Sequence, residues 1–431
     1  MAGTTVPSGS PLAPPRASSA LTIQILRRPG SLSALTGPPI KDDGKVGRIQ
    51  TDPGMPFIRI TDLSVGPKGD RVTCDSWDTP NGVPIMGDEN VEGRGVPMSS
   101  SSFETKIGFA RYNVDAGGQM ARQRSPYDLQ KMARGFAAAY FPRHIWLRAM
   151  THAMGMRGSQ DGVSWSGVPL ATHSKFADVL INPVLAPTRN RHYVLDDTNG
   201  LVQGGDLVSS LSTADVWKLS RLDNLCSILE SLETKIPPPV FVGDEQGVDS
   251  PLLGILLMPP SSYNSLITDI TSGNNLRAFQ AAVEQRQKYA PTSSVFRGKV
   301  GIWRNLVVKM MDHTFSRLAG ETVSYVTAAN KLTETESSTT VPAGLSTTHQ
   351  MERSIVLGAQ SVARAEGATF SGEQAEIREN WYDAGFKVEY ICGFMGGERK
   401  FRHYYTNPEG NRQPTDNCLV IDAVAPIVVN S

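Results

Sequence analysis

The chain has 431 residues, enough for two or three domain-sized units and a substantial core. Its 42 Lys and Arg balance 42 Asp and Glu, so no whole-molecule field attracts nucleic acid or an acidic partner, and any charged surface must be local. The four cysteines, Cys74, Cys226, Cys392 and Cys418, lie far apart without a CxxC pair, which argues against a disulfide framework and gives a metal site no support.

Residues 1–55 read as a basic N-terminal arm, because "PSGSPLAPPR" is too rich in proline for an amphipathic targeting helix. Within it "LTIQIL" alternates like a short strand. The core begins near Met55 with "MPFIRITDLSV", which alternates again through Phe57, Ile58 and Ile60. Between 68 and 120 two extended texts, "DRVTCDSW" and "FETKIGFARYNV", flank the polar stretch "DTPNGVPIMGDENVEGRGVPMSSSS". This pattern predicts a long hairpin whose irregular tip carries Asp88, Glu89, Glu92 and Arg94. A two-stranded ribbon is marginal alone, so the hairpin should rest on something else, an adjoining subunit for example.

Residues 125–150, "SPYDLQKMARGFAAAYFPRHIWLRAM", open as a helix, with Ser125 as cap, Pro126 in the first turn and Asp128 at the positive end of the dipole. Leu129, Met132, Phe136 and Tyr140 recur with Ala133 at helical spacing and form the expected core stripe. Arg122, Arg124, Lys131, Arg134, Arg143 and Arg148 supply a cationic side. Pro142 removes the hydrogen bond to the Ala138 carbonyl, which predicts a kink or a break there.

Loops with short strands occupy 155–199, and "STADVWKLSRLDNLCSILESLETK" is then a helix capped by Ser212 or Thr213, with Leu219, Leu222, Leu225 and Leu229 on its stripe. "PLLGILLMPP" is a buried strand closed by Pro259 and Pro260. No apolar run is long enough to span a bilayer, so the chain reads as soluble, with no membrane partner. "NLRAFQAAVEQRQKYA" follows as a helix and "GKVGIWRNLVVKMM" as one or two strands. The Ser/Thr-rich "KLTETESSTTVPAGLSTTHQ" reads as a surface loop, "MERSIVLGAQSVARAEG" as a helix, and "AGFKVEYICGFMGG" and "NCLVIDAVAPIVV" as closing strands. The fold class is α+β.

Catalytic patterns are missing. "GVSWSGV" at 162–168 lacks the last glycine of a nucleophile elbow, and the glycines of "VEGRGV" and "FMGGERK" read as turns without the spacing or lysine of a phosphate loop. His144 and His152 are eight residues apart, not the four that would pair two metal ligands on a helix. The pairs Asp88–Glu89 and Asp196–Asp197 fit solvated turns, and "GERKFRHYY" fits a strand as readily as a single-stranded nucleic-acid platform. No catalytic, cofactor-binding or metal residue is assigned, and the chain reads as no enzyme.

A series of short texts, in order, resembles the major capsid proteins of N-four-like tailed phages, members of the Hong Kong ninety-seven type of capsid fold. "GDENVEGRG" (87–95) is similar to the family's acidic, glycine-rich tip. "GGQMARQRSPYDLQKMARGFAAAYF" (117–141) is similar to its helix and the basic text before it, and "LLMPPSSYNSL" (256–266) to its strand-turn-helix. "RGKVGIWRNLVV" (297–308), "RSIVLGAQSVARA" (353–365) and the closing texts from Glu379 and Asn417 continue the likeness to the C-terminus. Pro142, the residues around Asn305 and the long Ser/Thr stretch depart from the family pattern.

The resemblance implies an arm at 1–55, an extended-loop hairpin at 56–118 and a peripheral domain at 119–212 built on a spine helix. An axial domain at 213–351 and a return helix with closing peripheral strands at 352–431 complete it. It also implies a coat protein that assembles as hexamers and pentamers into an icosahedral virion shell in the host cytoplasm. Asp88, Glu89, Glu92, Arg94, Arg122 and Arg124 would make contacts between subunits. Partners would be other copies, scaffold, portal and cement proteins, and packaged double-stranded DNA held non-specifically; no cofactor is implied. Rival readings are an encapsulin-like nanocompartment shell, a minor phage structural protein and an intracellular hydrolase.

Overall fold

The structure is a computed structural model that describes residues 35–36, 54–60, 69–77, 84–95, 100–158, 168–169, 171, 173–239, 252–272, 300–311, 313–327, 335–345, 348–367, 375–406 and 412–427. The "LTIQIL" strand, the helix expected at 275–290 and "GVSWSG" lie outside the described residues. The first strands are β1 (Phe57–Ile60), β2 (Arg71–Trp77), β3 (Ser100–Lys106) and β4 (Gly108–Gly118), followed by helices α1 (Gln119–Arg124), α2 (Leu129–Met154) and α3 (Phe176–Leu180). Next come β5 (His192–Asp196), β6 (Gly200–Gln203), α4 (Leu219–Ser231), β7 (Gly254–Met258), α5 (Pro260–Ser272), β8 (Val300–Trp303), β9 (Leu306–Met310) and β10 (Ser316–Arg317). The rest is strand: β11 (Thr322–Val326), β12 (Glu336–Thr340), β13 (His349–Leu357), β14 (Val362–Glu366), β15 (Ala375–Tyr382), β16 (Lys387–Lys400), β17 (Arg402–Thr406), β18 (Arg412–Asp416) and β19 (Cys418–Pro426).

Two sheets organise these elements. One has five strands in the order β1-β14-β16-β15, with β4 along the other edge of β16. The other has eight, in the order β6-β5-β19-β13-β7-β9-β8, with β10 added to β13. Period-two alternation divides the residues of the larger sheet between its faces. Met351, Ile355 and Leu357 of β13 join Val420 and Val424 of β19 in the core beneath α2. Val356, Leu419 and Ile421 point the other way, toward Leu222, Leu225 and Leu229 of α4 and Leu266 of α5. Burial on both faces explains why "GILLM" reads as an unbroken apolar run.

Helix α2 differs from the sequence expectation in three respects. It begins at Leu129, because the Asp128 carboxylate accepts from the backbone N–H groups of Gln130 and Lys131; Ser125 instead closes α1, and its hydroxyl accepts from the Tyr127 N–H. It runs unbroken to Met154, where Gly155 terminates it at φ 67°. One missing N–H at Pro142 costs less than the packing of the C-terminal half holds, where Ile145, Trp146, Leu147, Ala149 and Met150 are all buried. Finally, Leu129, Met132, Phe136 and Tyr140 are half-buried, while the small Ala133 and Ala137 bring the helix close to the sheet. Tyr140 still packs flat on Tyr112 of β4, ring centroids 3.8 Å apart.

Other expectations also change. The text at 353–365 forms no return helix: it is β13, a tight turn and β14. β13 is hydrogen-bonded to β19 and β7 on its two sides, and a side chain at Gly358 would meet the carbonyls of Pro237 and Asn417 at 2.8 Å, so only a glycine turn fits. Residues 352–431 thus serve both sheets, β19 lying inside the larger one. The Ser/Thr stretch is no bare loop, because Glu336–Thr340 alternates in exposure and pairs with β11. Helix α4 starts six residues later than Thr213, its first N–H, that of Leu219, donating to the Asp269 carboxylate of α5 at 2.8 Å. The glycines of "FMGGERK" lie within β16, not in a turn, and a side chain at Gly397 would strike the Lys106 carbonyl.

Candidate assembly surfaces

The expected hairpin is present: β2 and β3 pair from Arg71↔Lys106 to Trp77↔Ser100. Its root is anchored. Asn182 accepts from the Lys106 N–H at 3.0 Å and donates to the Lys106 and Glu398 carbonyls, tying β3 to β16. Phe103 stacks on Phe401 at 4.7 Å with the Arg399 guanidinium 4.8 Å from its centroid, and both join Val72, Ile58 and Ile60 in a small apolar cluster.

Among the described residues, nothing gives 84–95 at the tip such support. Gly87 and Gly93 turn the chain at positive φ, Arg94 pairs with Glu89, and Asn90 accepts from the Glu92 N–H. Asp88, Glu89, Glu92 and Arg94 lie in this stretch, all exposed. The sequence pattern carried no warning of Met86 and Val91, which lie bare beside them at 74 % and 67 % exposure.

Arg122 and Arg124 sit elsewhere, on α1 at the end of β4, and no hydrogen bond or ion pair joins them to the tip among the described residues. Arg122 donates to the Phe386 carbonyl at 3.0 Å, fixing α1 against the turn between β15 and β16. Three large side chains are exposed at this corner, Met120, Trp381 and Phe386. The signal for them was faint: aromatic residues flanking a "DAG" turn.

The cationic side of α2 is only partly a surface. Lys131 and Arg134 are exposed, but Arg148 is fully buried, its guanidinium 2.5 Å from Glu398 and over the Phe394 ring. Two further ionic clusters are sealed inside. Arg353 binds both Asp422 oxygens, at 2.6 and 2.7 Å, His192 Nε2 lies 2.8 Å from Asp422 Oδ2, and Arg353 also donates to the Met154 carbonyl at the end of α2. Asp416 takes Lys400 and Arg402, both at 3.1 Å, and these cations hold its carboxyl below the ordinary range despite burial.

The cations of "GERKFRHYY" are thereby engaged internally: Arg399 donates to the Glu104 carbonyl, and Lys400 and Arg402 bind Asp416. Asp196 accepts from the Thr198 and Asn199 N–H groups in a turn, and Asp197 pairs with Lys218, as solvated turn carboxylates do. His144 and His152 are both buried, and His152 Nε2 is 3.3 Å from the Leu180 carbonyl. Burial drives the Cys226 and Cys418 thiols up to about 12, far from a reactive thiolate. Among the described residues no cluster of His, Cys, Asp and Glu could hold a metal, and no helix is long and apolar enough to cross a membrane.

A family model described as "Phage capsid protein" matches residues 5–427. Among solved structures, the fold is similar to the capsid of Ralstonia phage GP4, with 20 % identity, TM-score 0.68 and full coverage of both chains. The cyanophage Pam1 capsid matches with 13 % identity and TM-score 0.55, over 86 % of this chain and 89 % of that one. The acid-stable capsid of Helicobacter pylori bacteriophage KHP30 matches with 11 % identity and TM-score 0.52, over 91 % and 95 %. No curated protein sequence matches the chain.

Proposed function

This chain belongs to the phage capsid protein family and is a structural protein of the virion shell; from that premise we propose that it is the major coat protein of a tailed double-stranded DNA phage. The shell is of the Hong Kong ninety-seven type, and the branch is the N-four-like one. The β2–β3 hairpin is the extended loop, α2 the spine helix of a peripheral domain, and the larger sheet with α4 and α5 the body of an axial domain. Copies meet as hexamers and pentamers around the icosahedral symmetry axes, each contact heterologous and closing through symmetry. Assembly takes place in the host cytoplasm with a separate scaffold and a portal, cement proteins being further partners. The packaged genome is held, where it touches the coat, through phosphate electrostatics without sequence.

One geometric observation carries this reading: a hairpin packed firmly at its root ends in a tip that is exposed and that no other described residue covers. A monomeric protein gains nothing from such a projection, whereas a shell subunit uses it to reach a neighbour. Negative-stain microscopy of the overexpressed chain, beside native particles analysed by mass spectrometry, tests it. Closed shells or hexameric rings, with this chain as the dominant virion protein, are expected. A small monomer missing from virions would refute the coat reading.

A further inference from the structure

A cavity of about 510 Å³ opens where the 3-10 turn Arg189–Arg191 and β5 meet the end of α4 and the β17–β18 hairpin. Its volume falls in the range of small-ligand sites, roughly 300–1,000 Å³. Arg191 lies in the wall at 1 % exposure and is held by neutral oxygens: Nε donates to the Thr415 hydroxyl and the Asp416 carbonyl, both at 3.0 Å, and Nη2 to the Thr234 carbonyl at 2.5 Å. Its Nη1 makes no hydrogen bond among the described residues. The Asp416 carboxylate is already taken by Lys400 and Arg402, so here one buried acid stands against three buried cations. Burial pulls Arg191 below its ordinary range, opposed by Asp416 and by the nearby Tyr193 and Tyr405 hydroxyls. Tyr193, 7 % exposed, also lines the cavity, and its hydroxyl has no hydrogen-bond partner among the described residues.

We propose that this cavity binds a small phosphate monoester, with Arg191 Nη1 and the Tyr193 hydroxyl donating to the phosphate and Arg189 completing the cation pair from the exposed rim. A tetrahedral oxyanion accepts hydrogen bonds from several directions at once, which suits two guanidinium groups and a hydroxyl, and it supplies the negative charge that the buried cations lack. Bare phosphate would leave much of the volume empty. Ile228 and Leu232, at the end of α4, form an apolar part of the lining that the organic group of the ester covers. A phosphate of duplex DNA, set on a helix far wider than the cavity, would not reach Arg191, so the packaged genome is not this ligand. Glu233 is exposed on the same lining and works against an anion, so its removal should strengthen binding. The site lies within one chain and stands independently of the shell reading.

Phosphorus NMR of phenyl phosphate titrated with the full-length chain tests this. The resonance should shift and saturate as for a single site, inorganic phosphate should bind about tenfold more weakly for want of the apolar contact, and phenol should fail to displace the ester. Tyr193→Phe and Arg189→Glu should each weaken binding at least about tenfold. Neither should lower the melting temperature, because the Tyr193 hydroxyl has no partner among the described residues and Arg189 is exposed. Glu233→Gln should strengthen binding about threefold. A native chain that gives no saturable shift, or binding that Tyr193→Phe and Arg189→Glu leave unchanged, would overturn the proposal.

Discussion

The larger sheet and the β2–β3 hairpin solve the same problem in opposite ways. In the sheet every residue of β13 from Met351 to Leu357 is buried, and even its charged residues, Glu352 and Arg353, find partners inside the chain. In the hairpin the root is covered, and the described tip exposes apolar and acidic side chains alike. The sheet is complete within one chain, whereas under the proposed function the hairpin is finished by another molecule. Damage to the first should therefore cost folding, and damage to the second should cost assembly.

The largest effect belongs to the sheet. Asp422→Ala leaves Arg353 and His192 buried without their carboxylate, and urea unfolding should show a loss of about 3–5 kcal/mol. A loss under about 1 kcal/mol would mean that water reaches the cluster and that the body is not sealed. At the hairpin root, Phe103→Ala removes the ring that holds the satellite cluster, a local cost of about 3 kcal/mol. Amide exchange should then quicken over residues 71–106 while β13 and β19 keep their protection.

Acid should weaken the body before the hairpin. Burial pushes His152 down to about 3, and His192 is also lowered by burial, against the opposing pull of Asp422. Unfolded histidines take up protons below about pH 6.5 while these two stay neutral in the fold, so their full contribution is present above that pH. Stability should fall on acidification through the window between the unfolded value and about 3 for His152, by about 1 kcal/mol per pH unit, with His192 acting in the same direction. Melting curves between pH 7 and 4.5 check this, and H152N should flatten them. The smallest effect on folding, within about 0.5 kcal/mol, is expected for Met86→Ser with Val91→Ser, the tip being exposed. The same pair should sharply reduce particle yield.

Much of this division was legible in the sequence. Two alternating texts around a polar stretch announced the hairpin, and the runs at 254–258 and 418–425 announced the strands of the body. The β13–β14 text was ambiguous, since an apolar run with alanines suits a helix until β19 and β7 claim both edges of the strand. Arg148 looked like part of a solvated helix face because its partner, Glu398, stands 250 residues away. The cap of α4 was invisible for the same reason, as Asp269 reaches it from another helix. Local pattern showed where elements lie, whereas the partners of buried charges came only from the fold.

Hydrogen exchange over β2, β3 and the tip, compared between dissociated subunits and assembled particles, tests the central claim most directly. The tip and outer strands should exchange freely in the subunit and become protected in the particle, with β13 and β19 protected in both. Equal protection of the hairpin in the two states would contradict the claim that a neighbouring copy completes it.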